Sequence, residues 1–130
     1  MKSIADIKNA LDRFEAIVWS NCDYPLKADN SDDVIMAGWI KFEIEKNELG
    51  WRTLEFLAWI VDDLMKGGEE IHFFPTSPPP YLNTPGQCLS FVMEFYPETD
   101  AQDINFQKIS DFIFKCYKEY WPECKKLNGV

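Results

Sequence analysis

Residues 34–46, VIMAGWIKFEIEK, decide the fold. Val34, Met36, Gly38, Ile40, Phe42 and Ile44 fall on one side of this stretch, and Trp39, Lys41, Glu43 and Glu45 fall on the other. A period of two belongs to a strand with one face buried and one face turned to water. A helix opened by Ser31 competes, since Ile35, Trp39 and Phe42 also fit helical spacing. The alternation holds through Lys46, so the strand is preferred.

Upstream, residues 20–33 (SNCDYPLKADNSDD) collect side chains that bond their own backbone or fix φ, and they read as a loop. Before them Ile4, Ile7, Leu11, Phe14, Ile17 and Val18 recur at helical spacing, which predicts a helix over 4–19. Downstream, Asn47 to Gly50 reads as a turn. A helix over 53–66 follows, with Leu54, Leu57, Ile60, Val61, Leu64 and Met65 on its apolar face. Phe56 and Trp59 widen that face, and Gly67 with Gly68 ends the helix by supplying φ > 0. Ile71–Phe74 and Leu89–Phe95 read as short strands. A last helix over 101–120 presents Phe106, Ile109, Phe112, Ile113, Cys116, Tyr117 and Tyr120 before Pro122. The order αβαββα predicts one α+β domain over 1–130, an antiparallel or mixed sheet of about three strands packed with about three helices.

The chain has 130 residues and 15.2 kDa, enough for a core without metal or disulfide support. Its 46% hydrophobic and 27% charged content excludes disordered and collagen-like classes. The net charge is −9, which argues against phosphate backbones and anionic membranes as partners. The acids are concentrated: residues 29–70 hold eleven acids against four bases. Met1 to Ser20 carries Asp6, Asp12 and Glu15 and offers no signal-peptide core, so a cytoplasmic location is expected. Cys22, Cys88, Cys116 and Cys124 lack CxxC spacing and read as reduced thiols.

No catalytic signature emerges. The single histidine, His72, sits between Ile71 and Phe73 and reads as structural at a sheet edge. There is no GxSxG elbow, no Walker A loop and no GxGxxG turn. Zinc needs close His and Cys pairs, which are missing. Asp62 with Asp63, and Glu69 with Glu70, gather carboxylates at one helix exit. Neighbours on a helix point about 100° apart and do not clamp one ion. Glu123 and Lys125 have the spacing of a nuclease E-x-K but lack an Asp-bearing strand before them. No catalytic residue, metal or cofactor is therefore expected.

Five of the eight prolines lie in residues 75–87, where they read as stiffening for a long connection, with Tyr81 packed back or offered to a partner. Phe14, Phe56, Trp59, Phe91, Phe95, Phe112 and Tyr117 read as core. Trp39 is different, because alternation places it beside Lys41, Glu43 and Glu45. Either a helix covers it there or it stands exposed among carboxylates, as interface anchors do.

A small acidic protein without catalytic groups suits an inhibitor of a basic nuclease-type toxin. Such a target must be ringed with Lys and Arg to hold a polyanion, and opposite charge speeds encounter. Bacterial toxin-immunity proteins have this general character, a likeness of size and charge carried by no motif. The expected partner-binding residues are Trp39, Glu43, Glu45, Asp62, Asp63, Glu69, Glu70 and Tyr81, on a monomer or weak dimer. The alternatives are a phage anti-defence protein that mimics DNA, a small carboxylate- or metal-dependent hydrolase, and an adaptor displaying the proline segment.

Overall fold

The alternation is realised as extended chain over Val34–Met36 and Gly38–Glu45. The computed structural model describes residues 4–23, 26–27, 34–36, 38–76, 88–96 and 106–126. Their elements are α1 (Ile4–Leu11), β1 (Ile17–Asp23), β2 (Leu26–Lys27), β3 (Val34–Met36), β4 (Gly38–Glu45), α2 (Glu48–Lys66), β5 (Glu70–Pro75), β6 (Cys88–Tyr96), α3 (Phe106–Glu119) and α4 (Trp121–Cys124). The fold is α+β. β1, β4, β6 and β5 form a four-stranded antiparallel sheet in that order, and β2 pairs with β3 in a separate ribbon. The sheet thus has one strand more than expected.

β4 is central, paired with β1 and β6 along its length. Its inward residues Ile40, Phe42 and Ile44 are buried, as are Met93 and Phe95 from β6 and Ile71 from β5. These meet Ile7 and Leu11 of α1, Leu57 and Ile60 of α2, Ile109 and Ile113 of α3, and Trp121 of α4 in one core. The helices therefore cover a single face of the sheet. The opposite face carries Trp39, Lys41 and Glu43, opposed in register by Glu94, Val92 and Ser90.

The extra strand corrects the helix expected over 4–19. That helix ends at Leu11, and residues 12–16 form tight turns, including Phe14 N–H to Leu11 O at 3.1 Å and Ile17 N–H to Phe14 O at 3.1 Å. Phe14 stays on the helical period because the turns drop its ring into the core, 5.4 Å from that of Trp121. Ile17, Val18 and Trp19 are β-branched or aromatic and open β1. Ser20 to Asp23, expected as loop, complete that strand. As an edge strand it tolerates polar side chains, so its composition resembled a loop.

α2 corrects a second boundary. Asn47 to Gly50, expected as a turn, is the helix start: the Asn47 side chain accepts the Gly50 N–H at 2.9 Å and caps the first turn. Glycine is required at 50, because a Cβ would lie 1.7 Å from Glu45 O. At the other end only Gly68 takes positive φ, at 105°. Residues 101–105 and most of the proline segment lie outside the described residues. After α3, Tyr120 breaks the helix and α4 restarts it, with Pro122 in the first turn, where its missing N–H is harmless.

Candidate binding surface

α2 buries Phe56, Leu57, Ile60, Val61 and Leu64 against the sheet. The remaining helix surface is not uniformly polar. Trp51 and Trp59 stand 47% and 45% exposed. Trp51, Glu55 and Trp59 follow at intervals of four, so they share one stripe, which Asp62 and Asp63 continue. The expectation of Trp59 as core is corrected: the apolar sector of α2 is wider than the sector its neighbours cover.

Beside this stripe, α2, α3 and α4 border an open groove of about 660 Å³ whose lining includes Arg52 and Lys115 as well as Glu55 and Asp63, with Phe56, Trp59, Phe112 and Tyr120 between them. The rings of Trp59 and Tyr120 stand 6.0 Å apart at 84°, and Phe56 lies 5.7 Å from Trp59. Arg52 links α2 to α4, donating from Nη1 to Cys124 O at 3.2 Å. Its buried Nε makes no hydrogen bond and stands 3.9 Å from Glu48 Oε1. On α3, burial pushes the Cys116 thiol up to about 11, with Asp63 adding to the rise.

The residues expected to bind a partner do not form one patch. Asp62 and Asp63 join the α2 stripe, and Asp62 pairs with Lys66 at 3.0 Å. Glu69, in the turn after α2, is nearly buried and lies 3.8 Å from Lys108. Glu70 is on β5, 3.4 Å from His72 Nε2. Trp39, Glu43 and Glu45 belong to the opposite face of the sheet. Trp39 is half-buried and carries Lys41 Nζ over its ring at 5.5 Å. Glu45 accepts from Asn47 Nδ2 at 2.9 Å. Tyr81 lies outside the described residues.

Glu43 overturns the expectation of an outward, solvent-facing carboxylate. It is 1% exposed, and the Ser90 hydroxyl donates across both its oxygens, each 2.7 Å from Oγ. Alternation correctly turned it away from the helices, but that face is closed at this point: Val92 beside it is buried too. A residue so enclosed cannot touch a partner.

His72 lies on an edge strand, exposed rather than packed in the core. Its ring is 4.5 Å from that of Tyr96. The Tyr96 hydroxyl donates to Glu94 Oε1 at 2.7 Å, and that bond, with burial and the nearby carboxylates, pushes the phenol up to about 12. The four cysteines are unbridged. Among the described residues no three metal-ligating side chains gather at one point, and no helix is long and apolar enough to cross a membrane.

Neither a protein-family model, nor a curated protein, nor a solved structure matches the chain. The site therefore rests on its own chemistry. Trp51, Trp59 and Tyr120 are the residues that sequence reasoning missed. Their signal was present in the run Trp51, Glu55, Trp59, Asp62, which alternates aromatic and acidic side chains along one helix stripe.

Proposed function

We propose that this chain is a small acidic binding protein that neutralises a basic, nuclease-type toxin by covering its cation-rich site, as a cytoplasmic immunity protein does. One observation carries the reading: the exposed stripe of α2 interleaves Trp51 and Trp59 with Glu55, Asp62 and Asp63. Aromatic anchors at the centre of an interface supply most of the binding energy, while surrounding charges set encounter rate and register. α2 carries Glu48, Glu55, Asp62 and Asp63 against Arg52 and Lys66, so its balance is acidic. A nuclease site must present Lys and Arg to hold its polyanionic substrate, which makes it complementary to this stripe.

The inhibitor acts by stoichiometric contact and needs no cofactor. The test is residual activity of a purified basic nuclease partner titrated with the protein. Asp62→Lys with Asp63→Lys, both exposed, should weaken inhibition at least about tenfold while the fold stays intact. Unchanged inhibition by the double reversal would remove the acidic stripe from the interface.

A further inference from the structure

We propose that the corner between Trp59 and Tyr120 is a receptor for one arginine side chain of the partner. The inference rests on the binding-protein reading above and names the chemistry of its anchor. Glu55 and Asp63 lie four residues before and after Trp59, one helical turn away on each side, on the same stripe of α2. The indole is thus bracketed by two exposed carboxylates, and the Tyr120 ring meets it nearly at a right angle. A planar guanidinium can stack on the indole while its N–H fork reaches the carboxylates on either side.

The rest of the molecule shows how its aromatic surfaces are satisfied. Phe114 carries Arg13 at 4.6 Å and Lys118 at 5.2 Å over its ring, and Trp39 carries Lys41. Among the described residues, no cation of the chain sits over Trp59. Two bases do line the groove. Arg52 donates to Cys124 O, and Lys115 stands on α3 one turn from both Asp111 and Glu119. Neither sits over the indole ring.

An apolar side chain is the competing occupant of such a corner. It would strip water from Glu55 and Asp63 without replacing their hydrogen bonds, a penalty that a guanidinium avoids. Lysine could supply the charge and sit over the ring, as Lys41 does over Trp39, but its compact and strongly hydrated ammonium lacks the planar fork that lies flat on an indole while reaching carboxylates on two sides.

The test follows the Trp59 indole N–H resonance, assigned through Trp59→Phe, while a short arginine peptide, its citrulline counterpart and its norleucine counterpart are titrated. The arginine peptide should shift this resonance saturably. Citrulline should need at least about tenfold more peptide, and Glu55→Gln with Asp63→Asn should abolish the difference. Equal shifts from arginine and norleucine would overturn the proposal in favour of an apolar anchor. A Trp59 resonance that the arginine peptide does not move would overturn it outright. If a basic nuclease partner is inhibited equally by the natural chain and by Trp59→Leu, the binding-protein reading survives and the receptor does not. If the arginine peptide behaves as expected but no basic nuclease is inhibited, the receptor survives and the toxin reading fails.

Discussion

The indole of Trp59 meets the ring of Tyr120 edge-on, with centroids 6.0 Å apart and planes at 84°. The contact joins the outward face of α2 to the break between α3 and α4, and it leaves both side chains nearly half exposed. An aromatic pair arranged in this way contributes little to the core and much to any surface that covers it.

Substitution at Trp59 should accordingly separate binding from stability. Trp59→Ala should lower unfolding free energy by about 1 kcal/mol through its lost ring contacts, yet weaken partner binding by about 2 kcal/mol. Trp121→Ala is the contrasting case, since Trp121 is 1% exposed and packs on Phe14 and Phe56. Its loss should cost about 3–5 kcal/mol of stability. Denaturant unfolding and calorimetric binding of the same variants measure both quantities.

The buried carboxylate of Glu43 should tolerate no change of sign. Glu43→Lys places an ammonium opposite Ser90 with no carboxylate bonded to it, and should lose the cooperative thermal transition. Ser90→Ala leaves the carboxylate without its donor and should cost about 1–3 kcal/mol. Asp62→Lys with Asp63→Lys should leave the melting temperature within a few degrees of the original. Differential scanning calorimetry distinguishes the three.

How far the sequence foretold these differences depends on what each residue's pattern reports. Alternation through Ile40, Phe42 and Ile44 reports a strand with one buried face, and β4 is that strand. Alternation does not report whether the second face is open, so Glu43 was placed on the correct side and in the wrong environment. Phe14, Ile17 and Val18 continue a helical period by accident, because tight turns after Leu11 return Phe14 to the core. On α2 the period locates the apolar face, but the share of it covered depends on where α3 and α4 lie. That is tertiary information, and it decides that Phe56 is core and Trp59 is surface.

Acidification should weaken the tie between Glu15 and the C-terminal segment. Its carboxylate accepts from Trp121 Nε1 at 3.3 Å and from Lys125 Nζ at 3.2 Å, beside Tyr117. Burial pushes the carboxyl up, but the two hydrogen bonds and the Lys125 charge outweigh it and hold the group below its ordinary value of 4.5. A carboxyl lowered by folding stabilises above its unfolded pKa, and that stability is lost as pH falls through the folded value. Glu15→Gln should be less stable near neutrality by under about 1 kcal/mol, since water screens a carboxylate this exposed. The gap should close below about pH 4. Urea midpoints across pH for both proteins check the convergence.

The thiols should be silent in the native state. Burial pushes Cys22, Cys88 and Cys116 upward, Cys116 up to about 11, so little thiolate exists at neutral pH. Thermal midpoints with and without reductant should coincide, and Cys116 should alkylate only on unfolding. Mass spectrometry after iodoacetamide treatment at increasing denaturant reads this directly.

Neutralisation of a basic nuclease by the acidic aromatic stripe of α2 is what we propose. Its most direct measurement is the inhibition constant of this protein against its purified nuclease partner at low and high salt, for the natural chain and for Asp62→Lys with Asp63→Lys. Inhibition should be tight, weaken as salt screens the charges, and fall at least about tenfold in the reversed variant at low salt. Inhibition that is indifferent to both salt and reversal, or a partner whose active site is acidic, would contradict it.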